Sequence, residues 1–131
     1  MRNIVLILIG MLICAGCGPR SAAKPAEAPG VKKISAEEAV KTWETIGDHI
    51  ILDVRAESEY AEGHVPGAVL LPDNEISARA GEVLPDKNKP VFVYCRSGRR
   101  SAGAAQTLAG MGYTAVYDFG GILNWPYEIE K

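Results

Sequence analysis

Val91-Phe92-Val93-Tyr94-Cys95-Arg96-Ser97-Gly98-Arg99-Arg100-Ser101 carries the change of pattern on which the fold is read. Val91 to Tyr94 are consecutive apolar or aromatic residues, the signature of a central strand. A polar, arginine-rich turn follows at once. Gly98 permits a backbone shape that other residues resist. Ser101 is placed to cap a helix containing Ala102, Ala104, Ala105, Leu108 and Ala109, and Gly110-Met111-Gly112 ends it. The stretch is therefore a strand, a turn and a helix, with Cys95 where the strand stops.

The same alternation extends in both directions. Val31 to Ile34 reads as a first strand. Ser35-Ala36-Glu37-Glu38 fits a capping box, opening a helix to about Glu44 with Ala39, Val40 and Trp43 on its apolar side. Ile50-Ile51-Leu52 is a compact buried strand that runs into Asp53-Val54-Arg55. Glu57 to Ala61 reads as a helical turn, and Gly63-His64-Val65-Pro66-Gly67 as a loop. Ala68 to Leu71 is a short strand, Asn74 to Leu84 a helix weakened by Gly81, and Ala115 to Tyr117 a last strand. Five short strands alternating with helices predict an α/β domain with a mainly parallel sheet and helices on both faces. Ligands of such sheets sit beyond the carboxyl ends of the strands. Asp53, Arg55 and Cys95 all fall at those ends.

The 131-residue chain is long enough for one domain, and its 47% hydrophobic and 23% charged content is that of a globular protein. A formal charge of -2 gives no reason to expect nucleic acid as a partner. Arg2, the apolar run Ile4 to Ile13 and the small residues Ala15-Gly16 make the three-part pattern of an export signal over residues 1–16. The run is short for a stable transmembrane helix. Residues 17–30 lack bulky apolar side chains and read as a flexible tether, leaving residues 31–131 as the folded domain.

Cys14-Ala15-Gly16-Cys17 resembles a bacterial lipobox, although Cys14 stands where leucine is usual. The resemblance implies that Cys17 is lipidated and anchors the protein to the outer face of a bacterial membrane, in the cell envelope or periplasm. Cleavage before Cys17 removes Cys14 and one charged residue, Arg2, moving the formal charge from -2 to -3. Cys95 is then the one free thiol of the mature chain, without an internal disulfide partner.

Arg96, Arg99 and Arg100 place three cations within five positions and no acid between them. Helix N-termini and cationic neighbours favour a thiolate, and the thiolate is the nucleophile. The blander reading is a strand-end cysteine that fills the core, with arginines on a solvated face. The basic turn at the strand-to-helix junction favours the nucleophile.

Three segments then resemble the signatures of rhodanese-like domains. Leu52-Asp53-Val54-Arg55, with Glu59-Tyr60 and Gly63 to Ala68, is similar to the first signature. Cys95 to Ser101 is similar to the active-site loop, and Gly120-Gly121-Ile122 with Trp125 to the closing one. The resemblance spans about residues 31–131. It implies a sulfurtransferase in which Cys95 takes sulfane sulfur from a small anionic donor such as thiosulfate. A persulfide forms, and a thiophilic acceptor removes the sulfur: cyanide, a small thiol or a protein thiol. Arg96, Ser97, Gly98, Arg99, Arg100 and Ser101 would form the persulfide loop. Arg96 and Arg100 would attract the donor while Arg99 points to solvent. The alternatives are a non-catalytic module that binds a partner protein, and a persulfide or redox carrier. Related phosphatases and arsenate reductases have one more residue between cysteine and arginine. Arg100 follows Cys95 after only four residues, so the cradle suits a sulfur atom better than a tetrahedral oxyanion.

Other marked residues carry two readings. Asp53 and Arg55 either brace the Cys95 loop or form an ion pair elsewhere. His64 is read as making a structural hydrogen bond rather than serving as a base, and Trp43 and Trp125 as packing residues. No His/Cys group has metal-ligand spacing, and neither metal nor cofactor is expected.

Overall fold

A computed structural model describes residues 30–131. The expected signal, Cys17 and all of the expected tether except Gly30 lie outside the described residues.

The chain alternates as its sequence requires. Strands β1 (Val31–Lys33), β2 (Ile50–Asp53), β3 (Val69–Leu70), β4 (Val91–Cys95) and β5 (Val116–Gly121) form one sheet in the order β1-β5-β4-β2-β3. Every pairing is parallel, so each connection crosses over and the expected sheet becomes an all-parallel one. Helices α1 (Ala36–Ile46), α2 (Glu57–Glu62), α3 (Ile76–Val83) and α4 (Arg99–Gly110) fill the crossovers. All five residues of β4 are buried, as a central strand covered on both faces demands.

Two apolar layers sandwich the sheet. On one face Leu52, Val54, Val93 and Cys95 pack with Ile76 and Ala80 of α3 and with Ala104, Ala105 and Leu108 of α4. On the other face Ile51, Phe92, Tyr94 and Phe119 pack with Ala36 and Ala39 of α1, with Trp43 and Trp125 against them. The helices therefore cover both faces.

Local differences have local causes. Ser35 caps α1 by accepting the Glu38 N–H at 3.1 Å. The helix runs past Glu44 to Ile46, where Gly47 at φ 83° ends it. Pro72 and a 3-10 turn over Asp73–Glu75 delay α3 to Ile76. Gly81 lies within α3 and does not break it. Strand β3 keeps only Val69 and Leu70 of the expected Ala68 to Leu71. Strand β5 continues beyond Tyr117 to Gly121, carrying the chain up to the Cys95 loop.

Candidate active site

Strand β4 delivers Cys95 to the carboxyl edge of the sheet. The β4–β5 register shifts between Val93 and Cys95, so that Cys95 pairs with Gly121. The chain then turns through Arg96, Ser97 and Gly98. Gly98 takes φ 104°, a left-handed conformation costly for residues with a Cβ, and α4 begins directly after it. The Gly98 N–H donates to Cys95 Sγ at 3.0 Å. A helix N-terminus and an inward-pointing amide thus meet at the sulfur, a setting that favours an anion.

Ser101 does not cap α4, as the sequence suggested. Gly98 closes the turn earlier, and Gly98 itself is the capping position. Ser101 falls in the first turn with its hydroxyl directed inward, donating to Asp118 Oδ1 at 2.8 Å.

Two supports hold the loop from outside. The Leu123 N–H donates to the Arg96 carbonyl at 3.2 Å, tying the loop to the segment after β5. The end of β5 also comes very close: a Cβ on Gly121 would lie 2.1 Å from the Arg96 carbonyl oxygen and 2.7 Å from Ser97 Cα. On the opposite side, the Arg100 guanidinium donates twice to Glu59, at 2.7 and 2.9 Å. This fork-to-fork geometry is the strong form of an ion pair. The hydrogen bonds from Arg100 hold the Glu59 carboxyl down at about 2, against the partial burial that would raise it. Glu59 in turn raises the Arg100 pKa.

Strand, loop and helix thus enclose one buried thiol within six residues, between an arginine clamp and a glycine pair. The rhodanese-like domain family model matches residues 35–127. This chain is a member of that family.

Known proteins are similar over much of this domain. Thiosulfate sulfurtransferase PspE of Escherichia coli (strain K12) is 44% identical over 71 residues, which cover 54% of this chain and 68% of that protein. A protein named sulfurtransferase from Allochromatium vinosum is 35% identical over 96 residues, covering 72% of this chain and 88% of that protein. Among solved structures, a rhodanese with anions from E. coli superposes with a TM-score of 0.60 at 38% identity. It covers 63% of this chain and 98% of that one.

Within this rhodanese-like domain the expected loop residues are brought together, but their surroundings differ. Cys95 is 0% exposed, so the sulfur sits beneath the loop. Arg96, Ser97 and Arg99 are exposed. Arg96 and Arg99 have no ion-pair partner among the described residues. Arg100, expected to attract a donor, is instead occupied by Glu59. It stands with Asp73 between two open depressions of about 660 and 440 Å³, and Cys95 lines neither.

Asp53 and Arg55 choose between their two readings. Arg55 donates from Nε and Nη2 to the Asp53 carboxylate, the shorter bond being 2.7 Å, and Nη2 also donates to the Gly63 carbonyl. The Tyr94 hydroxyl donates to Asp53 at 2.6 Å and accepts the Val65 N–H at 3.0 Å. Asp53 and Tyr94 are register partners in β2 and β4, with Tyr94 in the α1-side layer and Cys95 in the α4-side layer. The pair therefore anchors the Gly63–Val65 loop, on the face away from Cys95. Burial works against the Arg55 charge, but Asp53 outweighs it and holds the Arg55 pKa above its usual value. Burial, then the bond to Asp53, push the Tyr94 hydroxyl upward.

His64 hydrogen-bonds through Nδ1 to the Tyr60 carbonyl at 2.9 Å and stacks on the Tyr60 ring at 3.8 Å. Its Nε2 lies 3.7 Å from Glu130, whose backbone pairs with that of His64. Trp43 and Trp125 pack against Phe119 and also line an aromatic groove of about 480 Å³. Among the described residues no group of three His, Cys, Asp or Glu side chains is arranged to hold a metal.

Sequence reading marked Glu59 within the first signature without a partner, and gave no site role to Tyr94 or Asp118. A short helix with an acid in its first turn gives no sign of which distant arginine it will meet. Asp118 had a weaker signal, since a carboxylate inside an apolar strand needs a partner.

Proposed function

We propose that this protein is a rhodanese-type sulfurtransferase working through a Cys95 persulfide. The observation that carries the reading is Cys95 Sγ at the end of β4, with the Gly98 N–H at 3.0 Å and the start of α4 above it. Similarity to proteins named sulfurtransferases adds support.

With thiosulfate, the Cys95 thiolate attacks the outer sulfur. The new S–S bond forms as the bond to the sulfonate breaks, and sulfite leaves with the electron pair. In the second half-reaction cyanide or a thiolate attacks the terminal sulfur of the persulfide. The S–S bond breaks, its electron pair returns to Cys95, and thiocyanate or an acceptor persulfide departs. Two half-reactions through a covalent intermediate imply ping-pong kinetics. The Gly98 amide faces the sulfur that bears charge at the beginning and end of the cycle.

Arg96 and Arg99 suit the steering of an anionic donor, because they are exposed and unpaired among the described residues. Arg100 serves this reading by holding the loop against α2 through Glu59. Cys95 is 0% exposed, so this reading requires the loop above it to admit the donor.

The test is thiocyanate formation from thiosulfate and cyanide by the purified full chain and its Cys95→Ser variant. Turnover with parallel double-reciprocal lines, absent in the variant, supports the enzyme. Turnover unchanged in Cys95→Ser removes Cys95 from the reaction.

We further propose that residues 1–16 direct export and that Cys17 carries the lipid anchor, on the strength of Arg2, the Ile4 to Ile13 run and Ala15-Gly16-Cys17. Labelling with radioactive palmitate, in the native chain and in Cys17→Ser, tests this. Label retained in the variant excludes Cys17 as the site.

A further inference from the structure

Asp118 is a buried carboxylate beside the Cys95 loop that the reaction above does not use. It is 2% exposed, on strand β5, and is the register partner of Val93. Val93 belongs to the α4-side layer, so Asp118 faces the start of α4. Its Oδ1 accepts from Ser101 Oγ at 2.8 Å and from the Gly120 N–H at 3.0 Å. Ser101 is 0% exposed and also lies 3.1 Å from the Gly98 carbonyl, while the Gly98 N–H is bound to Cys95 Sγ. A chain of contacts through Ser101 and Gly98 thus joins the carboxylate to the thiol.

A carboxylate at this place acts in two ways. Its bonds to Ser101 and Gly120 join the first turn of α4 to the Gly120-Gly121 segment that packs on Arg96 and Ser97. Its negative charge also lies near a helix N-terminus, where it opposes a second anion. The other charges around the loop are Arg96, Arg99 and Arg100, Glu59 of α2, and Asp73 of the 3-10 turn. Lys33 of β1 is the exposed register partner of Asp118. Glu59 and Arg100 neutralise one another, leaving Asp118 as the buried anion opposite the loop's cations.

We infer that Asp118 is a positioning residue that fixes the Cys95 loop through Ser101 and Gly120 and limits how strongly the loop stabilises negative charge on the Cys95 sulfur. The inference rests on the sulfurtransferase reading for its purpose: a persulfide held too firmly is passed on slowly. Its physical content, the effect of Asp118 on the thiol, can be measured without sulfur transfer.

The experiment follows iodoacetamide alkylation of Cys95 against pH by peptide mass, in the full native chain, Asp118→Asn and Ser101→Ala. Thermal melts monitor folding of each. The pH midpoint reports the charge on the thiol, while the high-pH plateau reports access through the loop. Asn keeps an oxygen to accept from Ser101 and Gly120 but removes the charge, so the midpoint should fall, and the neutral-pH rate relative to the plateau should rise about threefold or more. Ser101→Ala leaves the charge and removes a donor that partly neutralises it, so the midpoint should rise, while the plateau rises as the loop loosens. Opposite midpoint shifts in the two variants support the inference. Midpoint shifts in one direction, or midpoints equal to native, overturn it. If Asp118→Asn does not fold, Ser101→Ala alone decides: a raised midpoint supports it, and an equal or lower one overturns it. Sulfur loading from thiosulfate is measured in parallel. Opposite alkylation shifts in a protein that accepts no sulfur uphold the role of Asp118 and reject the sulfurtransferase reading.

Discussion

Arg100 and Glu59, 41 residues apart in sequence, share two hydrogen bonds of 2.7 and 2.9 Å that join α2 to the first turn of α4. The guanidinium stays partly exposed but is committed to α2. Glu59→Gln keeps one acceptor but removes the charge that makes the clamp strong. It should lower stability by about 1–2 kcal/mol, the range for hydrogen bonds to charged groups that are partly solvated. Urea unfolding of native and variant chains checks this. Equal midpoints would show that the clamp adds nothing to the fold.

The same pair sets a pH dependence. Glu59 titrates at about 2 when folded, below its ordinary 4.5, because Arg100 hydrogen-bonds its charged form. A depressed carboxyl stabilises the fold fully above its unfolded pKa and loses that contribution as pH falls through the folded value. The native chain should therefore lose stability between pH 4.5 and about 2. In Glu59→Gln this part of the loss should be missing. Thermal melts across that window measure the difference, and parallel curves would contradict it.

Gly121 and Gly120 make a paired test of why β5 ends in two glycines. A Cβ on Gly121 would meet the Arg96 carbonyl oxygen at 2.1 Å, and backbone on both sides leaves little room to yield. Gly121→Ala should cost about 3 kcal/mol or more and displace the loop. Gly120 has nothing within 4 Å of its Cβ position but takes φ 87°. Gly120→Ala should then cost only the left-handed strain, about 1–2 kcal/mol. Unfolding free energies should rank the two variants in that order.

Tyr94 tests the separation of the two faces. Its hydroxyl serves Asp53 and the Val65 N–H, on the side away from the thiol. Tyr94→Phe should destabilise the chain by about 1–3 kcal/mol, since it leaves buried polar groups short of a partner. Below the melting temperature, Cys95 alkylation should change less than twofold. A large loss of Cys95 reactivity in a folded variant would show that the Asp53 network reaches the loop.

The sheet was legible because its signal is local. Ile50 to Leu52 and Val91 to Tyr94 are apolar runs bounded by turn residues, too short for a buried helix and suited to a buried strand. Cys95 was legible for the same reason, since its strand, its glycine and its arginines are adjacent in the chain. What stayed hidden depends on distance or handedness. Arg100 looked free to bind an anion because its partner lies in another helix. Ser101 looked like a helix cap because the positive φ of Gly98, which starts α4 earlier, is not written in residue type alone. Asp53 and Arg55 stood at the correct end of the sheet, but strand alternation sends Asp53 to the other face. Gly120-Gly121 was visible as a pattern, while its cause, the approach of the Arg96 carbonyl, exists only in the folded chain.

In the proposed reaction the buried Cys95 sulfur accepts and gives up one sulfur atom. Intact-mass spectrometry of the full chain after brief treatment with thiosulfate measures this directly. The expected result is a gain of a single sulfur atom, reversed by cyanide and absent in Cys95→Ser. An unchanged mass with thiosulfate and with other sulfane donors, or a gain that persists in Cys95→Ser, would contradict the account.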